Sequence, residues 1–180
     1  MGETKTSSSC WKDQLNQVLN PKNPAIKGDC KRTALIGAGN EMQADDAAGL
    51  LVIRELKLRL TSSPQVLLIE GGMAPENFTG KIRAFKPDLV ILIDAAEMGL
   101  TPGQIRWVEL DEIDGFSASS HILPLSVLAE FLMKDIGGEV RVIGIQVGSV
   151  EMGKKVTPEV TKSAVELADA IFMVIKAIDY

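Results

Sequence analysis

From residue 33 onward, short apolar runs alternate with longer amphipathic segments. Four of the runs are rich in leucine or β-branched residues and are bounded by glycine or charged residues: 33–37, 65–70, 89–95 and 141–147. Such runs are typical of strands buried on both faces of a parallel sheet. A fifth run, 105–110, alternates apolar with polar residues after a Pro-Gly turn. It predicts a half-exposed, antiparallel strand near an edge of the sheet.

Four segments between and after these runs have the apolar periodicity of helices: 46–60, 74–85, 123–136 and 158–178. The last begins at Thr157-Pro158, which places a capping hydroxyl before a proline at the first helical position. Alternation of strands and helices predicts an α/β fold. We expect a three-layer α/β/α sandwich around a mainly parallel five-stranded sheet with one antiparallel strand.

Residues 1–30 have a different pattern. A serine cluster at 7–9 precedes apolar residues at helical spacing, and a Pro- and Lys-containing stretch follows at 20–28. We therefore predict an N-terminal extension with a short helix and linker at 1–30, and an α/β domain at 31–180. Trp11 lies on the apolar side of the helix, so we expect the helix to pack on the core.

The ends of three predicted strands carry polar residues or glycines. The first strand ends at Gly39-Asn40, the second at Glu70-Gly71-Gly72 and the third at Asp94. The right-handed crossover rule favours the spatial order 2-1-3 for these strands. Ligands of open α/β sheets bind outside the carboxyl ends of the strands, so all three ends should open onto one crevice.

Composition excludes several classes of protein. A net charge of -5 and a pI near 5.0 argue against nucleic-acid binding, which needs clustered Lys and Arg. Cys10 and Cys30 match neither a disulfide framework nor a CxxC pair, which favours a reducing compartment. No apolar stretch is long enough for a signal peptide or a membrane span. We expect a cytoplasmic monomer without membrane insertion.

A nucleotide site is one alternative reading of Gly37-Ala38-Gly39. Glycines after a strand can let a pyrophosphate approach the backbone. However, Met42 occupies the third glycine position, and the adjacent acidic pair would repel a phosphate. Glu70 could hold a ribose, but it lies further along the chain than the usual spacing of about 20 residues. Nucleotide binding stays open as an alternative function.

Two aspartates and the single histidine form a candidate cation site. Asp45 and Asp46 open the first helix of the α/β domain, where helix capping is the simpler role for one of them. Asp94 ends an apolar run, where a buried carboxylate needs a partner: a turn hydrogen bond, a metal or a catalytic proton. His121 precedes the helix at 123–136, and a surface or capping role is its simpler explanation. Together, one imidazole and two carboxylates would form an incomplete ligand set suited to nickel or zinc.

Covalent acyl-enzyme chemistry lacks a nucleophile. The chain contains no Gly-x-Ser-x-Gly elbow, and neither cysteine has a histidine nearby in the sequence.

Six motifs follow one another along the α/β domain. The first is I-G-A-G-N-E-M-Q-A-D-D-A-A-G at 36–49. The others, in order, are Glu70-Gly71-Gly72, Leu92-Ile93-Asp94-Ala95, Ser120-His121, Ile143-Gly144-Ile145-Gln146 and Val156-Thr157-Pro158-Glu159-Val160. Together these motifs resemble those of the hydrogenase maturation endopeptidases, closest to the branch that serves the formate hydrogenlyase (hydrogenase 3 type) enzyme. The resemblance extends from Thr33 to the C-terminus. The family often has Asp at the position of Glu70 and Pro at that of Ser120.

The resemblance implies an endopeptidase that removes the C-terminal extension of a nickel-iron hydrogenase large-subunit precursor. Asp46, Asp94 and His121 take the family's three metal-contacting positions and are therefore the expected catalytic residues. Nickel would arrive in the substrate, zinc or cadmium could replace it in vitro, and no organic cofactor is expected. A metal-polarised carbonyl would be attacked by water with a carboxylate as base. A non-catalytic module that binds nickel or the precursor is the other alternative.

Substrate binding is assigned to the loops at the same crevice. Asn40 follows the first strand, and Gly71 and Gly72 follow the second. The conformational freedom and backbone amides of the two glycines suit them to gripping an extended tail.

Overall fold

The structure, a computed structural model, describes residues 8–19, 32–60, 63–113 and 123–178. Two single turns of 3-10 helix, Ala44–Ala47 and Pro75–Phe78, lead into the second and third helices. In chain order the elements are α1 (Ser8–Leu19), β1 (Thr33–Ala38), α2 (Ala48–Arg59), β2 (Val66–Gly72), α3 (Thr79–Phe85), β3 (Leu89–Ala96), β4 (Ile105–Val108), α4 (Leu125–Ile136), β5 (Glu139–Gln146) and α5 (Pro158–Ile178).

The five strands form one sheet in the order β2-β1-β3-β5-β4. β1 pairs in parallel with β2 and β3, and β3 pairs in parallel with β5. β4 pairs antiparallel with β5 and forms one edge. The predicted 2-1-3 order and the antiparallel edge strand are therefore confirmed.

Helices cover both faces of the sheet, which gives the three layers that the alternating pattern predicts. α1, α2 and α5 contribute to one apolar cluster, and α3 and α4 to the other. β3 supplies both clusters, because alternate side chains of a strand point to opposite faces. Ile91, Ile93 and Ala95 belong to the first cluster, whereas Val90, Leu92 and Ala96 belong to the second. β1 and β3 are buried along their whole length, as their continuous apolar sequences predict.

The N-terminal helix packs on the core, as its apolar side predicts. Trp11, Leu15 and Leu19 are buried and join the cluster that contains α2 and α5. The indole Nε1 of Trp107, in edge strand β4, donates a hydrogen bond of 3.1 Å to the carbonyl oxygen of Trp11. Helix α1 therefore lies against the β4 edge of the sheet. The division of the chain at residue 30 stays a prediction, because residues 20–31 lie outside the described part.

Helix α2 is seated unusually close to the sheet. A Cβ atom on Gly49 would lie 2.2 Å from the carbonyl oxygen of Ile93 and 2.5 Å from that of Ala38. A Cβ atom on Gly37 would lie 2.1 Å from the carbonyl oxygen of Gly49. Both positions therefore need glycine, and the result is that the start of α2 lies directly on the carboxyl ends of β1 and β3.

In the described part of the chain, no helix is both long enough and apolar enough to cross a membrane.

Candidate active site

The candidate site lies at the carboxyl edge of the sheet, where β1, β2 and β3 end side by side. The ladder between β1 and β2 is irregular there: Gly37 pairs with Glu70 but Ala38 pairs with Gly72, so Gly71 is an inserted residue. Such bulges redirect a strand and are common beside active sites. The N–H of Gly39 then donates to the carbonyl oxygen of Gly72 over 3.1 Å, which holds the two loops together.

Asp46 lies in the 3-10 turn between β1 and α2, and its side chain is completely buried. The backbone N–H of Asn40 donates to its Oδ2 atom over 2.9 Å. A Cβ atom on Gly39 would lie 1.8 Å from the carbonyl oxygen of Asp46, so glycine at 39 lets this turn fold back onto the end of β1. Ala44, which begins the turn, has a φ of 41°, a strained value for a residue with a side chain.

Asp94 lies within β3 and is only 4% exposed. It pairs with Gly144 of β5, immediately after Ile93 pairs with Gly37 of β1. By alternation along β3, its side chain points to the face that α4 covers. A carboxylate is thus placed where the central strand leaves the apolar core.

These positions bring Asp46 and Asp94 to the same short stretch of sheet edge. Gly49, three residues after Asp46, contacts the backbone of Ile93, the residue before Asp94. Carboxylates so removed from water are suited to holding a cation or moving a proton, because burial strengthens their interaction with a charged or polar ligand. The prediction that the first and third strand ends share an edge is confirmed for these two residues.

Asp45 has a different role from its neighbour. Its Oδ2 atom accepts hydrogen bonds from the N–H groups of Gly148 (2.7 Å) and Ser149 (2.9 Å) and from the hydroxyl of Thr157 (3.0 Å). Its Oδ1 atom accepts from the N–H of Thr157 over 2.6 Å. This fully buried carboxylate therefore ties the start of α2 to the loop before α5 and places negative charge at the N-terminus of α5.

The prediction that one of the two aspartates caps its own helix is therefore wrong, since neither the 3-10 turn nor α2 has a side-chain cap. Asp45 makes no cap to its own helix; it caps α5, 112 residues further along the chain. The hydroxyl of Thr157, predicted as the local cap of α5, donates a hydrogen bond to Asp45.

The predicted substrate-binding residues differ in accessibility. The Oδ1 atom of Asn40 accepts a hydrogen bond from the N–H of Met42 over 2.9 Å, so this side chain shapes its own turn. Gly71 is buried, and a Cβ atom there would lie 2.8 Å from Pro75. Gly72 is partly exposed with a φ of 62°, and nothing lies within 4 Å of where its Cβ would be. Gly72 therefore offers accessible backbone, whereas Gly71 allows close packing.

Glu70 is bound by two cations of α2. Its carboxylate pairs with Lys57 over 2.6 Å and with Arg54 over 2.9 Å. The hydrogen bond from Lys57, followed by that from Arg54, lowers the pKa of Glu70 below its ordinary value. This arrangement anchors the end of β2 to α2, and it gives Glu70 a structural partner in place of a ribose.

Gln146, the last residue of the motif at 143–146, is a positioning residue whose role the motif does not indicate. Its buried side-chain oxygen accepts from the N–H groups of Met98 (2.7 Å) and Leu100 (3.1 Å). Its amide group donates to Glu97 and to the carbonyl oxygen of Val147. The side chain thus fixes the loop that leaves β3 just beyond Asp94. In the sequence, an amide side chain at the end of an apolar strand indicates such a role, since a buried amide needs several hydrogen-bond partners.

His121 lies outside the described residues, so its place beside the two carboxylates stays a prediction. Within residues 8–19, 32–60, 63–113 and 123–178, no three His, Cys, Asp or Glu side chains form a group that could hold a metal ion.

Comparison with known proteins agrees with this architecture. Residues 50–175 match the sequence profile of the HycI family, hydrogenase maturation proteases. The hydrogenase 3 maturation protease of Escherichia coli K12 is 40% identical over 113 residues, which cover 62% of this chain and 70% of that protein.

Two solved structures are similar to this fold. The crystal structure of the NiFe hydrogenase maturation protease HycI from Thermococcus kodakarensis has a TM-score of 0.79 and 32% identity, over 91% of this chain and 99% of that one. The solution structure of the endopeptidase HycI from E. coli has a TM-score of 0.67 and 33% identity, over 76% and 86%. Fold, motifs and relatives agree: this chain belongs to the HycI family of hydrogenase maturation proteases.

Proposed function

We propose that this protein is an endopeptidase that removes the C-terminal extension of a nickel-loaded nickel-iron hydrogenase large-subunit precursor. The observation that carries the proposal is the burial of Asp46 and Asp94 at one sheet edge in a member of a maturation protease family. The similarity to the hydrogenase 3 maturation protease of E. coli supports a substrate of that type. We further expect the protein to act in the cytoplasm as a monomer.

In this proposal, Asp46, Asp94 and His121 contact the nickel that the precursor carries. Two carboxylates and an imidazole suit a divalent transition metal and leave coordination positions for ligands of the precursor. The N–H of Asn40 fixes the orientation of the Asp46 carboxylate, and the strand pairing of β3 fixes the backbone of Asp94. Ligands held this way lose little freedom when the precursor docks.

Hydrolysis would use water as the nucleophile. One carboxylate of the pair accepts a proton from the water as it attacks the scissile carbonyl, and that proton passes to the leaving amine. Contact with the metal ion would polarise the carbonyl. The open backbone of Gly72 is the best placed of the predicted substrate-binding groups to hold the extended tail, since it is partly exposed at the same edge.

The test is a processing assay with purified, nickel-loaded precursor, in which loss of the tail is followed by gel shift and by intact mass. We expect Asp46→Asn, Asp94→Asn and His121→Ala each to slow processing by about a hundredfold or more, because removal of a catalytic group commonly costs 10²–10⁴ in rate. Asp13→Asn, an exposed carboxylate on α1, is the matched control and should process at the wild-type rate.

Stability must be measured beside activity. Asp46→Asn keeps an oxygen for the N–H of Asn40, so its free energy of unfolding should be within about 1 kcal/mol of wild type, whereas Asp46→Ala leaves that partly buried N–H without its acceptor. Normal processing by Asp46→Asn would refute the proposed site. Precursor that binds but never changes mass, even with wild-type protein, would favour a non-catalytic binding module. Equal cleavage of nickel-free precursor would refute recognition through the metal.

A further inference from the structure

Exposed apolar side chains are concentrated on the loops around the candidate site. Met42 follows β1, Met73 follows β2, and Val150 and Met152 follow β5; their exposed fractions are 61%, 47%, 40% and 64%. We call these four residues the methionine rim. The other large hydrophobic residues exposed in the described part, Leu58, Val127, Phe131 and Met173, are distributed over three helices.

Backbone hydrogen bonds join the three loops into one surface. The N–H of Gly153 donates to the carbonyl oxygen of Met42 over 2.7 Å, so the loop after β5 lies beside the loop after β1. The N–H of Asp45 donates to the carbonyl oxygen of Ser149 over 3.0 Å. On the other side, the bond between Gly39 and Gly72 joins the loop that carries Met73. The rim is therefore held in place by the same contacts that build the site.

The rim is continuous with the carboxylate at the site. Met42 is four residues from Asp46, and both residues contact the turn of Asn40: Met42 through its N–H and Asp46 through its Oδ2 atom. A peptide that reaches Asp46 along this edge must therefore pass over these loops.

The chemistry of the rim indicates an apolar, conformationally irregular ligand. Methionine side chains are unbranched, flexible and polarizable, and they adapt to the shapes that different partners present. Glu41, which precedes Met42 in the loop after β1, is paired with Arg54. The other exposed charges on these three loops are Glu151, Lys154 and Lys155, and they lie on the loop after β5.

We infer that the methionine rim binds an extended apolar segment of the precursor next to the bond that is cleaved. This inference rests on the proposed function and adds a docking surface to it. Burial of half-exposed methionines would stabilise the complex through the hydrophobic effect without adding a group to the chemical step. The rim should therefore contribute to KM and leave kcat almost unchanged.

The test is the triple variant Met42→Gln/Met73→Gln/Met152→Gln, which keeps side-chain length and removes apolar character. With nickel-loaded precursor, we expect its KM for processing to rise about tenfold or more, since three apolar side chains together remove a large apolar area from water when they are buried in a complex. Its kcat should stay within about twofold of wild type. Met173→Gln, 66% exposed on α5, is the matched control and should leave both constants unchanged.

The two proposals fail in different ways. An unchanged KM in the triple variant, with normal processing by the wild type, would overturn the rim and leave the protease intact. If wild-type protein binds precursor without trimming it, the protease proposal fails; weaker binding by the triple variant in a direct binding assay would then still support the rim. Sedimentation would show whether the rim instead binds a second copy of this chain. A dimeric wild type together with a monomeric triple variant would overturn the inference.

Discussion

Replacing Asp45 by Asn tests whether two adjacent buried carboxylates have separate functions. Asp45 and Asp46 are both completely buried, but the structure gives Asp45 four hydrogen bonds that bind α2 to the loop before α5. In Asp45→Asn, one carboxylate oxygen becomes an NH₂ group. Whichever oxygen is replaced, the new donor faces at least one N–H donor of Gly148, Ser149 or Thr157.

The cost can be worked from these contacts. If the NH₂ group takes the place of Oδ1, the remaining oxygen keeps the three hydrogen bonds at Oδ2 and the bond from the N–H of Thr157 is lost. Loss of a hydrogen bond to a charged group costs about 1.5–3 kcal/mol of stability. Loss of the negative charge at the N-terminus of α5 adds about 0.3–1 kcal/mol. We therefore expect the free energy of unfolding to fall by about 2–4 kcal/mol. Asp46→Asn should cost about 1 kcal/mol or less, because its oxygen can still accept from Asn40.

The assay is urea unfolding of both variants, followed by circular dichroism, together with precursor processing well below the unfolding midpoint. Asp45→Asn should be destabilised yet active, and Asp46→Asn should be stable yet inactive. Thr157→Val, which removes the hydroxyl donor but keeps the backbone N–H, should cost about 1.5 kcal/mol, the low end of the range for a bond to a charged group, and serves as a graded control. An Asp45→Asn variant with wild-type stability and no activity would refute the reasoning, since Asp45 would then belong to the chemistry.

Two further predictions concern the framework of the site. Gly49→Ala should reduce the free energy of unfolding by about 3 kcal/mol or more, because its Cβ would lie 2.2 Å from the carbonyl oxygen of Ile93. The control is Gly80→Ala, whose Cβ would have no atom within 4 Å. Equal unfolding midpoints for the two variants would contradict the close packing of α2 on the sheet. The pKa of Glu70 is lowered by Lys57, so its stabilising contribution is present above the ordinary pKa of 4.5 and is lost as the pH falls through the lower folded value. Glu70→Gln should therefore lower the free energy of unfolding by at most about 1 kcal/mol at pH 7. In urea unfolding, the difference in stability between this variant and the wild type should shrink below pH 4.5. A difference that does not change with pH would contradict the pairing of Glu70 with Lys57.

The strands and most helices follow from local sequence. Continuous apolar runs at 33–37 and 89–95 predict strands buried on both faces, and these are observed as β1 and β3. Thr157-Pro158 predicts the start of α5, which begins at Pro158. Each of these signals acts over a few residues, so no tertiary contact is needed to interpret it.

Helix starts near the site were predicted less accurately. The segments at 46–60 and 74–85 each begin with a 3-10 turn before the α-helix. Ala44 adopts a positive φ there, which local propensity does not favour. The surrounding contacts impose this conformation, since the N–H of Asp45 is held by the carbonyl oxygen of Ser149.

What the sequence determined by itself is the layered α/β fold, the order of its first three strands and the edge at which Asp46 and Asp94 lie, because periodicity and crossover handedness depend on local geometry. Only the tertiary structure showed what the other aspartate of the adjacent pair, Asp45, binds. Asp45 meets its partner Thr157 across 112 residues of chain, and no spacing rule reaches that far. Hydrogen bonds of that kind exist only once the helices have packed, so the division of roles between neighbouring carboxylates is a property of the folded protein.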